Sequence, residues 1–96
     1  MEYLLIPVGL FGNDYMTLTN DAKIAYALIS NKLAFFPMED EEGNKFVHYR
    51  LEELERDLNC SGDKVRKIKR ILIENGLIKE KRPGLKEPNR YYVFKP

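Results

Sequence analysis

Two helical patterns separated by a three-residue turn restrict the possible folds more than any other feature of this chain. Leucines recur at helical spacing over residues 51–58, which predicts a short helix whose other face is charged. The turn is residues 59–61, and Ser61 is a suitable N-cap for a second helix over residues 62–75. Gly76 follows at the position where a glycine commonly ends a helix in the left-handed conformation. The pattern therefore predicts a helix-turn-helix in the second half of the chain.

A β-hairpin is predicted directly after the helix-turn-helix. Residues 77–82 and 90–94 are strand candidates, and two proline-containing turns bracket the loop between them. Lysines and arginines make the tip of this hairpin basic. Helix, turn, helix and hairpin in this order predict a winged helix-turn-helix, which is an α+β fold of three helices with a small antiparallel sheet and a basic C-terminal wing.

The first half of the chain supplies the remaining helix and strand. Residues 3–7 predict a short apolar strand or an extended arm that a proline stops. Thr19 is a plausible N-cap for a first helix that begins at about residue 20 and ends at residue 34 or 35. Residues 46–49 predict a strand, and an acidic loop over residues 38–45 precedes it. The carboxylates of this loop lack the alternating spacing of a calcium-binding loop, so we interpret it as solvated.

Charge is divided unevenly along the chain. Residues 1–60 carry five basic and eleven acidic side chains, whereas residues 61–96 carry eleven basic and four acidic ones. The net charge of +1 therefore combines −6 with +7. An asymmetry of this size within one domain favours a polyanionic partner for the C-terminal part.

The second helix of the helix-turn-helix is predicted to present a basic face. At about 100° per residue its apolar side chains share one side, with Arg66 and Arg70 opposite. Lys67 and Lys69 fall on the flanks, where we expect their ammonium groups to reach outward. Such a helix can enter the major groove of double-stranded DNA while a basic hairpin follows the neighbouring backbone. The residues that we expect to bind DNA are Ser61, Gly62, Asp63, Lys64, Arg66, Lys67, Arg70, Lys81, Arg82, Lys86 and Arg90.

Length, cysteine content and motifs argue against several other classes of protein. Ninety-six residues provide enough chain for one core, so residues 1–96 are interpreted as a single domain. Cys60 has no second cysteine to pair with, and no secretory signal or membrane-spanning run is visible, so we expect a cytoplasmic protein. No glycine-rich phosphate loop, zinc pattern or nucleophile-base set is present, and we expect no enzymatic activity, no metal and no cofactor. The only histidine, His48, is interpreted as an incidental surface or edge residue.

Several segments resemble one protein family, in the same order over nearly the whole chain. They look like the N-terminal domain of RepA_N-type replication initiators, which start replication of plasmids in Gram-positive bacteria. The combination of the first three segments below is the most specific, whereas the fourth is common to many winged helices. The segments are Y-L-L-I-P at residues 3–7, L-T-N-D-A-K at 18–23, L-N-C-S at 58–61, E-N-G-L-I at 74–78, and K-R-P-G-L-K-E-P-N at 81–89 followed by Y-Y-V at 91–93.

The resemblance implies a winged-helix domain that binds repeated sites of a plasmid replication origin, generally as a dimer. It also implies that the chain is the N-terminal part of a longer initiator, whose C-terminal part recruits host replication proteins. The Lys86-Glu87 pair departs from the family pattern and puts a carboxylate near the expected path of the phosphates.

The residues themselves favour a homodimer, and two other functions fit the same fold. The apolar residues 3–6 and the pair Phe35-Phe36 motivate a homodimer without reference to the family. The alternatives to origin binding are a transcriptional regulator built on the same domain and a winged helix that serves as a protein-interaction module.

Overall fold

Residues 3–96 are described by the computed structural model; Met1 and Glu2, which the charge count includes, lie outside the described residues. Between residues 3 and 96 the chain forms three α-helices and a four-stranded sheet, after two short 3-10 turns at Val8–Phe11 and Asn13–Tyr15. The order of elements confirms the predicted winged helix-turn-helix. The elements are α1 (Asn20–Phe35), β1 (Met38–Glu39), β2 (Lys45–His48), α2 (Leu51–Leu58), α3 (Gly62–Glu74), β3 (Ile78–Lys81) and β4 (Arg90–Val93).

The helix ends follow the capping residues of the sequence. The Thr19 hydroxyl accepts a hydrogen bond from the backbone N–H of Ala22 at 3.2 Å, which begins α1. The Ser61 hydroxyl does the same for Lys64 at 3.3 Å and begins α3. Gly76, at φ +70°, adopts the left-handed conformation that ends α3. The boundaries of all three helices therefore match the predictions to within one residue.

The sheet is antiparallel throughout, in the order β1-β2-β4-β3. The β3–β4 hairpin is the predicted wing, and β2 pairs with β4 so that Val47 lies opposite Tyr91. Strand β1 was not predicted, because two residues are too few to show an alternating pattern. Its turn back to β2 is tight: the Asp40 carboxylate accepts the backbone N–H of Glu42 at 3.0 Å and of Asn44 at 2.8 Å.

The core lies between the three helices and the sheet. Apolar side chains of α1 and α3 pack against those of β2, β3 and β4, and the core also takes in a residue of the first 3-10 turn. Ile71, which the helical pattern placed in the core, is only partly buried at its margin. The largest fully buried side chains are Leu10, Ile29, Val47, Leu54, Val65, Leu72 and Leu77.

Residues 3–7 form an extended arm rather than a strand. The arm is held by Asn31, a buried polar side chain of α1, whose amide donates to the backbone carbonyl of Leu5 at 3.0 Å. Tyr3 and Leu5 are mostly exposed, as is the Phe35-Phe36 pair at the end of α1. Within the described residues, every helix is too short or too polar to cross a lipid bilayer.

Candidate nucleic-acid interface

Helix α3 turns one side to the core and the other to solvent. Val65, Ile68 and Leu72 are buried, whereas Arg66 and Arg70 are exposed on the opposite side. The division arises because apolar residues recur every three or four positions along this helix. The helix therefore presents a basic surface that the core packing holds in a fixed orientation.

That surface continues into the wing across a groove of about 320 Å³. Arg66 and Arg70 line the groove from α3, and Arg82 lines it from the wing, directly after β3. Lys69 and Ile73 complete the helix side of the groove, and Glu80 and Asn89 line it from the wing. The structure thus brings together three arginines that are up to 16 positions apart in the sequence.

Eight of the predicted residues are cations, and they fall into two groups. Five are exposed and form no ion pair with any carboxylate of residues 3–96: Lys67, Arg70, Lys81, Arg82 and Lys86. The other three, Lys64, Arg66 and Arg90, each have a carboxylate partner. Because a paired cation already has a counter-charge, the first group contributes most of the positive potential of the eight. Arg70 and Arg82 of this group line the groove, whereas Lys81 lies beside the acidic turn between β1 and β2.

Lys64 and Arg66 are paired near the start of α3. The Lys64 ammonium lies 2.9 Å from the Asp21 carboxylate on the first turn of α1, and this hydrogen bond and charge raise the pKa of Lys64. Lys64 falls on the apolar side of α3 by helical spacing, but it lies in the first turn, where its side chain is exposed and reaches Asp21. Arg66 lies 3.2 Å from the exposed Asp63 carboxylate, one turn earlier on the same helix. An exposed pair of this kind is weak and can exchange for another anion.

Arg90 is held inside the wing. Its guanidinium donates to both Glu87 oxygens, at 2.7 and 3.0 Å, and lies 4.5 Å from the centre of the Phe46 ring. The ring nitrogen Nε2 of His48 lies 2.8 Å from the same carboxylate, so His48 has a structural partner that the sequence did not indicate. Hydrogen bonds from Arg90 and His48 lower the pKa of Glu87 to about 2. The Glu87 carboxylate, which the sequence placed near the phosphate path, is therefore engaged within the wing, while Lys86 remains exposed.

Lys69 corrects one expectation from the sequence. Its ammonium does not reach outward but turns inward to the Glu80 carboxylate at 3.0 Å and the Tyr91 hydroxyl at 2.8 Å. The Lys69 side chain is consequently only 16% exposed. A partly buried carboxylate on the neighbouring strand attracts it, and helical periodicity alone carries no information about that strand.

A further acidic side chain, Glu55 of α2, lies close to the start of α3. A Cβ atom built on Gly62 would lie 2.5 Å from a carboxylate oxygen of Glu55, the last-turn glutamate of α2. Ser61 already uses its hydroxyl oxygen as the helix cap. Binding of a phosphate at Ser61 and Gly62 stays a prediction, and it requires the Glu55 side chain to rotate away.

Arg50 is a candidate that the sequence reasoning missed. It is exposed and immediately precedes α2, where it lines a depression of about 200 Å³ together with Lys69, Pro88 and Asn89. Arg50 therefore lies between the start of α2 and the wing, next to the basic groove. The charge count had placed Arg50 in the acidic part of the chain, so only the fold reveals its neighbours.

Known proteins resemble this chain over nearly all of its length. A family model described as the N-terminus of replication initiator protein A (RepA) matches residues 2–95. The "41 kDa protein" of Lactobacillus helveticus is 30% identical over 91 residues, an alignment that covers 85% of this chain and 26% of that protein. The chain thus corresponds to about a quarter of the length of this relative.

Solved structures show the same fold at considerable sequence identity. One described as "N-Terminal domain of DNA binding protein" superposes with a TM-score of 0.83 at 40% identity, covering 98% of this chain and 75% of that chain. "Structure of Rep-DNA complex" gives a TM-score of 0.81 at 40% identity over the same shares of the two chains. "Structure of MDR initiator" gives 0.80 at 36% identity, covering 98% and 77%.

Proposed function

The chain belongs to the family of replication initiator protein A N-terminal domains, a DNA-binding family of plasmid replication, and from this premise we propose that it binds repeated double-stranded sites of a plasmid replication origin. In this proposal residues 62–70 of α3 read base edges in the major groove. The wing contacts the sugar-phosphate backbone. Binding assembles the initiation complex, and the domain acts by binding and not by catalysis.

The convergence of Arg66, Arg70 and Arg82 on one groove is the observation that supports the proposal. Arginine can donate two hydrogen bonds to a guanine edge, and each such pair discriminates against a wrong base by about 1–3 kcal/mol. Two of the three arginines project from an exposed helix face, which is the geometry of a recognition helix. The third projects from a hairpin with exposed Lys81 and Lys86, where contacts to phosphate fix orientation without reading sequence.

Selection of binding sites from random duplexes tests this proposal directly. The domain is incubated with a pool of random double-stranded DNA, the recovered duplexes are sequenced, and affinity for the selected duplex is compared with that for a scrambled one. We expect a defined motif that occurs repeatedly within the replication origin of a plasmid encoding the protein. Recovery of no motif contradicts sequence-specific binding, and a motif confined to a promoter favours a transcriptional regulator.

Variants of the groove then separate base reading from backbone contact. Arg66→Ala is expected to flatten the selected motif at one or two positions, whereas Arg82→Ala is expected to leave the motif intact and weaken binding to all duplexes alike. Lys95→Ala serves as the matched control, since this exposed lysine follows the end of β4 that is remote from the wing tip. An unchanged motif for Arg66→Ala contradicts the assigned role of α3.

A homodimer is a further part of the proposal. The arm residue Leu4 and the exposed Phe35 and Phe36 line a largely apolar groove of about 330 Å³ beside α2. Apolar side chains gathered on a surface favour association with another protein surface. Light scattering with and without DNA tests this point: a Phe35→Ser/Phe36→Ser variant is expected to have the mass of a monomer, and a monomeric parent chain contradicts the dimer.

The relatives support a proposal for the whole initiator and its location. We propose that residues 1–96 are a single DNA-binding domain at the N-terminus of a longer initiator, since the aligned segment makes up 26% of the Lactobacillus relative. The remainder of such an initiator would recruit host replication proteins. Because plasmid replication takes place in the cytoplasm, the proposed location is cytoplasmic. A pull-down with full-length initiator, compared with this domain alone, tests the assignment of recruitment.

A further inference from the structure

One carboxylate oxygen connects the recognition helix to both strands of the wing. Oε2 of Glu80, on β3, accepts hydrogen bonds from the Lys69 ammonium of α3 at 3.0 Å and from the Tyr91 hydroxyl of β4 at 2.7 Å. The amide of Asn89, at the end of the wing tip, donates to the same atom at 2.9 Å. Lys69 also donates to the Tyr91 hydroxyl at 2.8 Å, which closes the network. We call these four residues the Glu80 cluster and residues 82–89 the wing tip.

The cluster forms the floor of the basic groove: Lys69, Glu80 and Asn89 line it, and the Tyr91 side chain is buried behind them. Tyr91 is 2% exposed, and the side chains of Lys69 and Glu80 are 16% and 23% exposed. Burial raises the pKa of Glu80, but the hydrogen bonds from Tyr91, Asn89 and Lys69 outweigh this effect and lower it, so the carboxylate stays ionised. Hydrogen bonds to a charged, partly buried group are among the stronger ones in proteins. The network is therefore suited to fix the distance between α3 and the wing.

The wing tip has few other connections to the helix. Leu85 and Lys86 are exposed, and a Cβ atom on Gly84 would meet, apart from its chain neighbours, no atom of residues 3–96 within 4 Å. Arg82 nevertheless lines the same groove as Arg66 and Arg70. In the proposed complex the helix contacts bases while the wing contacts the backbone. A wing tip that is already held at a fixed distance from α3 favours this, because ordering a loop at the moment of binding reduces affinity.

We propose that the Glu80 cluster positions the wing tip relative to α3 and thereby sets how strongly the domain discriminates its DNA site from other sequences. This inference rests on the proposed function. Lys69, Glu80, Asn89 and Tyr91 are positioning residues in this scheme, and the buried Tyr91 in particular acts without touching DNA.

Three variants with different charge changes test the proposal. Glu80→Gln removes a negative charge, Lys69→Met removes a positive one, and Tyr91→Phe removes only a hydroxyl. For each, affinity is measured by fluorescence anisotropy for the duplex selected by the parent domain and for a scrambled duplex of equal length. We expect the ratio of the two affinities to fall about tenfold in all three variants, equal to about 1.4 kcal/mol of lost discrimination.

The charge series separates positioning from plain electrostatics. If only charge matters, Glu80→Gln binds both duplexes more tightly, Lys69→Met binds both more weakly, and the ratio stays constant in all three variants. That result overturns the proposal, as does a parent-like ratio for Tyr91→Phe. A parent domain that fails to distinguish the two duplexes contradicts the proposed function instead, so the two failures are distinguishable.

Stability and loop order provide the controls. Tyr26→Phe removes a hydroxyl that donates to the backbone carbonyl of Phe94 at 2.6 Å, beyond the end of β4 that is remote from the wing tip, so it should lower stability without changing the affinity ratio. Nitrogen relaxation in the absence of DNA should show increased mobility of residues 84–87 in the cluster variants, with α3 unchanged. If one of the three variants fails to fold, Asn89→Ala takes its place, because it removes one hydrogen bond to Glu80 from the wing side. We expect the same fall in the affinity ratio and the same loss of order in the wing tip. Parent-like order in the wing tip overturns the proposal.

Discussion

The salt dependence of DNA binding measures how many cations act on phosphates, and the structure supplies the expected number. Of the eight predicted cations, five are exposed and have no carboxylate partner among residues 3–96. Each phosphate that a cation neutralises contributes about −0.9 to the slope of log affinity against log salt, which gives about −4.5 per protomer. Raising salt from about 50 to about 200 mM should therefore weaken binding about 500-fold per protomer.

Substitutions that remove charge but preserve the fold make this test quantitative. Lys81→Gln combined with Arg82→Gln should reduce the slope to about −2.7, so that the same change in salt weakens binding only about 40-fold. Lys95→Gln, the matched control, should retain the parent slope. Anisotropy titrations at four or more salt concentrations provide the slopes, and Arg50→Gln tests whether the arginine before α2 adds a sixth contact.

Two results would refute the reasoning. A slope near zero removes the electrostatic basis of the interface. A slope near −7 means that Lys64, Arg66 and Arg90 also neutralise phosphates, which contradicts the distinction between paired and unpaired cations. Both outcomes are outside the error of a titration over a fourfold range of salt.

Three further predictions concern base choice, core packing and acid stability. Arg70→Ala should relax base preference at its contact by about 1–3 kcal/mol, whereas Lys81→Ala should weaken all duplexes alike; competition binding against single-base variants of the selected duplex checks both. Leu72→Ala, in a fully buried position of α3, should lower the free energy of unfolding by about 2–5 kcal/mol in a urea titration, and a change below about 1 kcal/mol contradicts the assigned core. Because the folded-state pKa of Glu87 is lowered to about 2 from 4.5, its ionised form stabilises the fold above pH 4.5, and this contribution is lost as pH falls towards 2. Glu87→Gln should therefore be less stable than the parent at pH 6 and equally stable near pH 2 in thermal unfolding, and a constant difference at both pH values contradicts the pairing.

The helices and the wing could be predicted because their signals are local. Thr19 and Ser61 cap helices through hydrogen bonds that span three residues, and Gly76 ends α3 through its own backbone conformation. The predicted segments also occur in the correct order, and this alone defines the winged helix. Strand β1 could not be predicted, because its two residues are recognisable as a strand only through their pairing with β2.

The partners of the charged side chains could not be predicted because they depend on the tertiary arrangement. Lys69 and Glu80 are 11 positions apart, and His48 and Glu87 are 39 apart. Helical periodicity located Lys69 on a flank of α3 but could not show that a carboxylate on β3 lies next to it. For the same reason the sequence assigned eight equivalent cations to the interface, whereas the structure divides them into three paired ones and five with no carboxylate partner among residues 3–96.

The acidic turn between β1 and β2 explains how a chain with a net charge of only +1 can direct a polyanion to one face. Asp40, Glu41 and Glu42 line a depression of about 200 Å³ with Lys81, Pro83 and Arg90, where the two strands of the wing meet its tip. A DNA backbone that passed beyond Lys81 on that side of the wing would meet several carboxylates, and like charges at short range repel. On the other side it meets the arginine-lined groove instead. In the proposed complex the contrast between the two sides of the wing, and not the total charge, therefore selects the path of the backbone, because steering depends on how charge is distributed over a surface.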